Sequence, residues 1–264
     1  MKSLKQRITA RELTIGSWLS FGYPGVCEMM AKAGFEWLVV DMEHTAIDFA
    51  DAQQLIQIID LAGCIPLVRV GANDTLLIKR TMDAGAHGII IPMVNTPEEA
   101  QQAVAAIRYP PLGTRGVGLS RAQAYGLGFQ QYKEWAQQES VLIVQIEHIQ
   151  AVNNIEAILA VDGVDGFIVG PYDLSGSLGY PGEFDHPSVM GALSKISQII
   201  REGNVVGGYH VVHSNHQELL DKIMQGYKFI AYGDDMVFLA EKIRDESDFV
   251  KNVILHHNGI DTIH

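Results

Sequence analysis

Two cysteines in the whole chain, Cys27 and Cys64, leave no material for a disulfide framework or a cysteine-based metal centre. They stand far apart in apolar, helix-like settings and read as buried thiols of a reducing compartment. Basic residues are scarce too. There are 19 Lys and Arg against 31 Asp and Glu, a formal net charge of -12. A chain of that sign is not built to hold nucleic acid by charge. No apolar run reaches the roughly 18 residues of a membrane span. The opening MKSLKQRITARELT is polar and basic, without the apolar core of a secretion signal. No Pro/Ser linker, near-identical repeat or low-complexity stretch divides the sequence. The expectation is a single soluble, cytoplasmic domain over residues 1–264, with neither membrane nor nucleic acid as partner.

What is present is alternation. Short apolar strands are expected at 14–20, 37–43, 65–70, 88–94, 141–147, 164–170, 205–212 and 228–235. Amphipathic helices are expected at 26–34, 49–63, 74–85, 96–109, 130–138, 151–160, 188–203, 216–226 and 236–257. Leu55, Ile58, Ile59 and Ala62 share one helix face, and Gly34 and Gly63 supply helix stops. Pro97 opens its helix with acids close behind, as the helix dipole prefers. Eight strand–helix units in a chain of this length predict right-handed crossovers and a closed (β/α)8 TIM barrel, with an open doubly wound sheet as the alternative. The segment 110–128 is too long and glycine-rich for a simple connection, and long ordered loops are usually functional. The last helix extends past what a barrel needs. Its Val253, Ile254 and Leu255 would suit burial by a partner subunit.

The stretch 141–179, VLIVQIEHIQAVNNIEAILAVDGVDGFIVGPYDLSGSLG, orders the rest. Its first strand ends on Glu147. The turn GPYD after its second strand sets Asp173 just beyond the strand end. Neighbouring parallel strands would hold both carboxylates at one rim, the rim where ligands bind in α/β folds. Two acids with nothing basic beside them in sequence need a proton or a cation. Mg2+ is typically held by one or two carboxylates, with water and substrate oxygens completing its shell. Taken singly, Glu147 reads equally as a solvated strand end and Asp173 as a helix N-cap. The pairing is what points to a metal.

Polar residues after the other strands converge on the same rim. They are Asp41, Glu43 and His44 in DMEHT, Arg69 in VRV, Gln145, then Gly170, Pro171 and Tyr172, and finally His210 and His213 in GYHVVHS. Imidazole has an ordinary pKa near neutrality, which suits acid/base work and makes His44 a candidate, although any one histidine of ten is more often structural. Arg69 in an apolar barrel needs an anion: a substrate carboxylate, a developing oxyanion, or a structural partner in Asp41 or Glu43. A metal on Glu147 and Asp173 would chelate the carboxylate and keto oxygens of a 2-oxo acid and stabilise an enolate. Amides of the GPYD turn would bind the carboxylate, Arg69 the keto oxygen, and His44 would move the C4 hydroxyl proton. Retro-aldol cleavage needs this set.

Over about residues 10–245 the chain resembles the metal-dependent class II aldolases of the HpcH/HpaI family, which cleave 2-keto-3-deoxy and 4-hydroxy-2-oxo acids to pyruvate and an aldehyde. The segments VVDMEHT, PLVRV, TMDAGAHGIIIPMV, RYPPLGTRGVG, QIE and GPYDLSGSLG carry the resemblance. It implies a TIM barrel of the phosphoenolpyruvate/pyruvate type, assembled as a hexamer (a trimer of dimers) with terminal helices exchanged. It implies His44 as catalytic base, Arg69 as transition-state stabiliser and Asp83 as the acid that raises the basicity of the histidine. Gln145 and Tyr172 fall at substrate-contacting positions, and Glu147 and Asp173 at those of the ligands to Mg2+, Mn2+ or Co2+. Without the resemblance Asp83 reads as an exposed acid at a helix C-terminus. Three departures stand out. Tyr172 occupies a position that is often small, His148 one where Thr or Ser is frequent, and GYHVVHSN differs from the better-studied members at the aldehyde end of the substrate. The competing readings are a metal-dependent oxaloacetate decarboxylase or other enolate-forming lyase, and a catalytically silent binding barrel. A coenzyme A substrate would want a basic groove, and only Arg115 and Arg121 offer one.

Overall fold

The computed structural model describes residues 2–202 and 205–257. In chain order its elements are α1 (Leu4–Thr9), β1 (Thr14–Leu19), α2 (Pro24–Lys32), β2 (Trp37–Asp41), α3 (Phe49–Leu61), β3 (Ile65–Arg69), α4 (Thr75–Ala84), β4 (Gly88–Ile91) and α5 (Pro97–Ile107). A 3-10 turn (Arg121–Gly126) precedes α6 (Phe129–Gln138) and β5 (Val141–Ile146). Then come α7 (Ile149–Leu159), β6 (Gly166–Val169), α8 (Pro171–Ser177), α9 (Pro187–Glu202), β7 (Val206–Val211), α10 (His216–Met224), β8 (Phe229–Asp234) and α11 (Asp235–His257). The strands pair in parallel in sequence order, and β8 closes on β1. The (β/α)8 barrel expected from the alternation is therefore closed, not an open sheet. Residue 203, the last of the helix expected at 188–203, lies outside the described residues.

Local chemistry sets the element ends. Asp48 caps α3 through Ala50 and Asp51, with Asp51 reaching back in a capping box. Thr96 does the same for α5 with Glu99, and Pro97 takes the first helical position. Gly85 ends α4 in the left-handed region at φ 104°, where a side chain would be strained. Three helices lie outside the alternation: α1, α6 before β5, and α8. α8 is the short helix begun by GPYD. α1 was not expected, and its buried Leu4 and Ile8 pack with the barrel interior.

Strand parity separates two cores. Leu19, Leu38, Val40, Val68, Ile89, Leu142, Val144, Phe167 and Ile230 face outward against the helices. Trp18, Trp37, Val39, Leu67, Ile90, Ile143, Ile168, Val206 and Phe229 face inward with Leu4 and Ile8. The interior is filled, not hollow. Trp37 and Phe229 stack at 4.1 Å, and a side chain at Gly16 would collide with the Trp37 ring. Because α1 packs into this interior core and side chains fill it, the open polar rim lies at the C-terminal strand ends. Among the described residues no helix is long and apolar enough to cross a membrane.

Candidate active site

The inward parity continues past the apolar layers and turns polar. On β2 the inward series Trp37, Val39, Asp41 leads to Glu43. On β3 it ends at Arg69, on β5 it runs Ile143, Gln145, Glu147, and on β7 it ends at His210. Alternation fixes this, since residues two apart in a strand share a face. The register places Asp41 directly beside Arg69. Two adjoining cavities of about 570 and 390 Å3 open there and share Tyr172 and Asp173. The first also touches Met93, Glu147 and His148. The second touches Trp18, His44, Arg69, Gln145, Gly170 and His210.

Arg69 is the best-braced side chain of the rim. Its Nε and Nη2 donate to Asp41 Oδ1 and Oδ2 at 2.8 and 2.6 Å. Its Nη1 lies 3.2 Å from Glu43 Oε2, and its Cζ lies 4.5 Å from the Trp18 ring centroid. Burial works against its charge, but Asp41, Glu43 and Glu147 more than offset this and raise its pKa. A guanidinium carries five N–H donors, so this bracing still leaves some to face the cavity.

Glu147 is buried. Its Oε1 accepts from the Met93 amide at 2.7 Å, and its Oε2 accepts from Gln145 Nε2. Met93 holds φ 53°, a strained value for a non-glycine residue, while its amide bonds this carboxylate. Burial first, and the charge of Asp173 further down, push the Glu147 carboxyl above its ordinary range, against the hydrogen bonds. A side chain at Gly170 would come within 2.7 Å of Glu147 Oε2, so only glycine leaves room for this carboxylate. Asp173 sits exposed in the first turn of α8, whose N-cap is Gly170. It is therefore not the N-cap that a bland reading allowed. Among the described residues no cluster of three or more His, Cys, Asp or Glu gathers around a metal position. The donor set is two hard carboxylates on one cavity, which fits a cation that keeps most of its shell for water and substrate oxygens.

The other sequence-predicted residues fall as follows. Gln145 is buried and bonded to Glu147. Tyr172 is 59% exposed and packs edge-on against Phe184 at 5.0 Å. His44 is exposed on the cavity rim, with Nε2 3.7 Å from Glu43 Oε2. Asp83 is not brought to His44 within the chain. Its Oδ1 accepts from Nη2 of the fully buried Arg115 at 2.6 Å, so it is not the loose helix-end acid its position suggests. His148 caps α7, its Nδ1 accepting from the Gln150 amide at 3.1 Å. His213 pairs with Glu241 at 3.0 Å. The segment 110–128 lies away from this rim, with Arg121 bonded to Asp60 and to the Ala84 carbonyl at the ends of α3 and α4.

Glu43 is the residue whose weight sequence reasoning missed. Its Oε2 is buried without a hydrogen bond among the described residues, although it lies within ion-pair distance of Arg69. Burial, with Glu147 and Asp41 beside it, pushes its carboxyl up to about 7, against the pull of Arg69 and His44. The period-two pattern Trp37, Val39, Asp41, Glu43 was the available signal.

Comparison with known proteins gives the family of the chain. The profile of the HpcH/HpaI aldolase/citrate lyase family matches residues 14–241. The hydroxypyruvate/pyruvate aldolase of Sagittula stellata is 39% identical over 236 residues, covering 89% of this chain and 92% of that protein. The 2-dehydro-3,6-dideoxy-6-sulfogluconate aldolase of Pseudomonas putida is 37% identical over 236 residues, covering 88% and 90%. The crystal structure of an HpcH/HpaI aldolase/citrate lyase family protein from Burkholderia cenocepacia superposes with a TM-score of 0.88 at 34% identity, over 94% of this chain and 98% of that one. On sequence and fold together, this chain belongs to the HpcH/HpaI aldolase/citrate lyase family.

Proposed function

We propose that the chain is a divalent-metal-dependent aldolase that cleaves a 4-hydroxy-2-oxo acid or 2-keto-3-deoxy sugar acid to pyruvate and an aldehyde. The observation that carries this reading is the joint opening of Glu147, Asp173 and Arg69 on adjoining cavities at the C-terminal strand rim. Relatives named as aldolases across about nine-tenths of the chain support it. Glu147 and Asp173 would hold the cation, which when bound draws electron density from the keto oxygen. Mg2+, Mn2+ and Co2+ all suit oxygen donors with open positions.

The chain's own groups do the rest. Pro171 has no N–H, so the amides of Tyr172 and Asp173 open α8 toward the substrate carboxylate. Gln145 orients Glu147 and faces the same space. His44 takes the proton of the C4 hydroxyl, and the C3–C4 bond breaks with its electron pair left on the pyruvyl half. Arg69 faces the oxygen on which that negative charge collects, and its bidentate bond to Asp41 keeps it from moving. Protonation of C3 then completes pyruvate, and the aldehyde leaves.

Asp83 and α11 bring in assembly. Because Asp83 does not reach His44 within one chain, a role in raising a histidine's basicity requires a second copy. α11 carries Leu239, Ile243, Val250, Val253 and Ile254, all about half exposed or more. We assign these to contacts in a homohexamer, a trimer of dimers with exchanged terminal helices. Truncation after Asp245 should lower the sedimentation coefficient of the assembly; an unchanged value would remove α11 from the interface.

The test of function is pyruvate release from a panel of 4-hydroxy-2-oxo acids and oxaloacetate, read by coupling to lactate dehydrogenase, with Mg2+, Mn2+ or EDTA. Release from hydroxy-oxo acids that EDTA abolishes is expected. Release from oxaloacetate alone would make the chain a decarboxylase, and equal rates in EDTA would remove the metal.

A further inference from the structure

Retro-aldol cleavage ends when C3 takes a proton, and few side chains of the rim can give one. Asp41 has both oxygens on Arg69, and burial among carboxylates makes that guanidinium hold its protons more tightly still. His210 Nε2 lies 3.0 Å from the Gly233 carbonyl oxygen. A carbonyl only accepts, so the ring hydrogen sits there and is already given away. Burial holds the His210 pKa down to about 4, so the ring carries no second proton at working pH. The Tyr172 ring turns to Phe184. Glu147 and Asp173 are the pair assigned to the cation. Glu43 remains. Its Oε2 is buried without a hydrogen bond among the described residues. That oxygen lies 3.7 Å from His44 Nε2 and 3.2 Å from Arg69 Nη1, within reach of both. The side chain is not sealed off, with 15% of it exposed.

The inference rests on the aldolase reading, which orders the substrate along these residues. Arg69 takes the oxygen on C2, and His44 takes the hydroxyl on C4. A carboxyl within reach of both faces the carbon between them, C3. We propose that Glu43 relays the proton from His44 to C3, which makes it the acid that completes pyruvate. The C4 hydroxyl proton passes to His44 as the C3–C4 bond breaks. It then passes from His44 to Glu43, and from Glu43 to C3, where the electron pair of the broken bond receives it. No proton is drawn from solvent, and both residues end as they began. Burial, with Glu147 and Asp41 beside it, lifts the Glu43 carboxyl to about 7 against the pull of Arg69 and His44. That lies near the ordinary value of an imidazole, a match that favours transfer between the two groups. The group that acts on C4 and the group that acts on C3 are thereby different residues.

The experiment separates the two ends of the reaction in Glu43→Gln, with Mg2+. One arm follows loss of the pyruvate methyl signal in D2O by proton NMR, which needs proton transfer at C3. The other follows entry of 13C-labelled aldehyde into the hydroxy-oxo acid that the wild type cleaves fastest. Label entry needs the C3–C4 bond to break and re-form, but no proton on C3. Glu43→Gln is isosteric and breaks no hydrogen bond of Oε2, and label entry reports that the variant is folded. It should slow methyl exchange and pyruvate release by about 10²-fold or more, and hold label entry within about 3-fold of the wild type. Unchanged methyl exchange would overturn the relay. Equal loss of both signals would overturn it too, since Glu43 would then act before the carbon–carbon bond breaks. A wild type that shows neither methyl exchange nor label entry would instead overturn the aldolase reading itself.

Discussion

Arg69 and Arg115 are made of the same parts. Each guanidinium bonds one aspartate and lies over an aromatic ring, at 4.5 Å from Trp18 for Arg69 and 4.6 Å from Tyr109 for Arg115. Arg115 also donates to the Tyr132 hydroxyl at 3.0 Å, while its Nε is buried with no hydrogen-bond partner among the described residues. Unused N–H groups therefore do not distinguish the two. Space and place do. Arg115 has no solvent exposure and ties the 110–128 segment to α4 and α6. Arg69 sits at the C-terminal end of β3 and faces a cavity shared with Gln145, Asp173 and His210. A buried, paired arginine is thus a scaffold or a site according to whether its free donors meet protein or room for a ligand.

Substitutions at the two arginines should separate stability from catalysis. Arg115→Ala strands the Asp83 charge and the Tyr132 hydroxyl, and should cost about 3–5 kcal/mol in urea unfolding. A loss below about 1 kcal/mol would remove Arg115 from the scaffold. Arg69→Lys keeps the charge but loses the fork on Asp41. It should lower kcat by roughly 10²-fold or more while the urea midpoint moves far less than in Arg115→Ala. An unchanged kcat would make Arg69 the second scaffold arginine.

Smaller effects sharpen the comparison at the rim. Gly170→Ala pushes a methyl against Glu147, and should weaken Mn2+ binding in calorimetry by about 10-fold; intact affinity would mean that Glu147 is not a ligand. Glu43 sets the smallest effect and its sign. Its pKa rises from 4.5 unfolded to about 7 folded, so the native state binds more protons between those values. Its contribution is present below pH 4.5 and is lost as pH climbs through about 7. In EDTA, Glu43→Gln should therefore gain stability relative to the wild type as pH rises across that window. A difference that stays flat with pH would place Glu43 in solvent.

Much of this was legible in the chain. Eight strand–helix units gave the closed barrel because period-two and period-3.6 apolar patterns report directly on burial. Glu147, Asp173, Arg69 and Gln145 were readable as strand-end polar residues, and all four line the rim cavities. Other features depend on tertiary neighbours. That α1 packs into the barrel interior follows only from Leu4 and Ile8 meeting it. His148 proved to be a helix cap, which its place beside Glu147 concealed. Asp83 looked like a loose helix-end acid until Arg115, 32 residues on, was folded against it. Glu43 and His210 were visible as polar residues, but their weight came from what surrounds them: one carboxylate oxygen without a hydrogen bond, and one imidazole locked by a carbonyl.

The central claim is that this rim draws a proton and negative charge through the pyruvyl group with metal and Arg69 together. Exchange of pyruvate methyl protons in D2O, followed by proton NMR, tests it without any aldehyde. The wild type with Mg2+ should erase the methyl signal, EDTA should stop the exchange, and Arg69→Lys should slow it by roughly 10²-fold. Exchange that is absent with Mg2+, or equally fast in EDTA, would contradict the account.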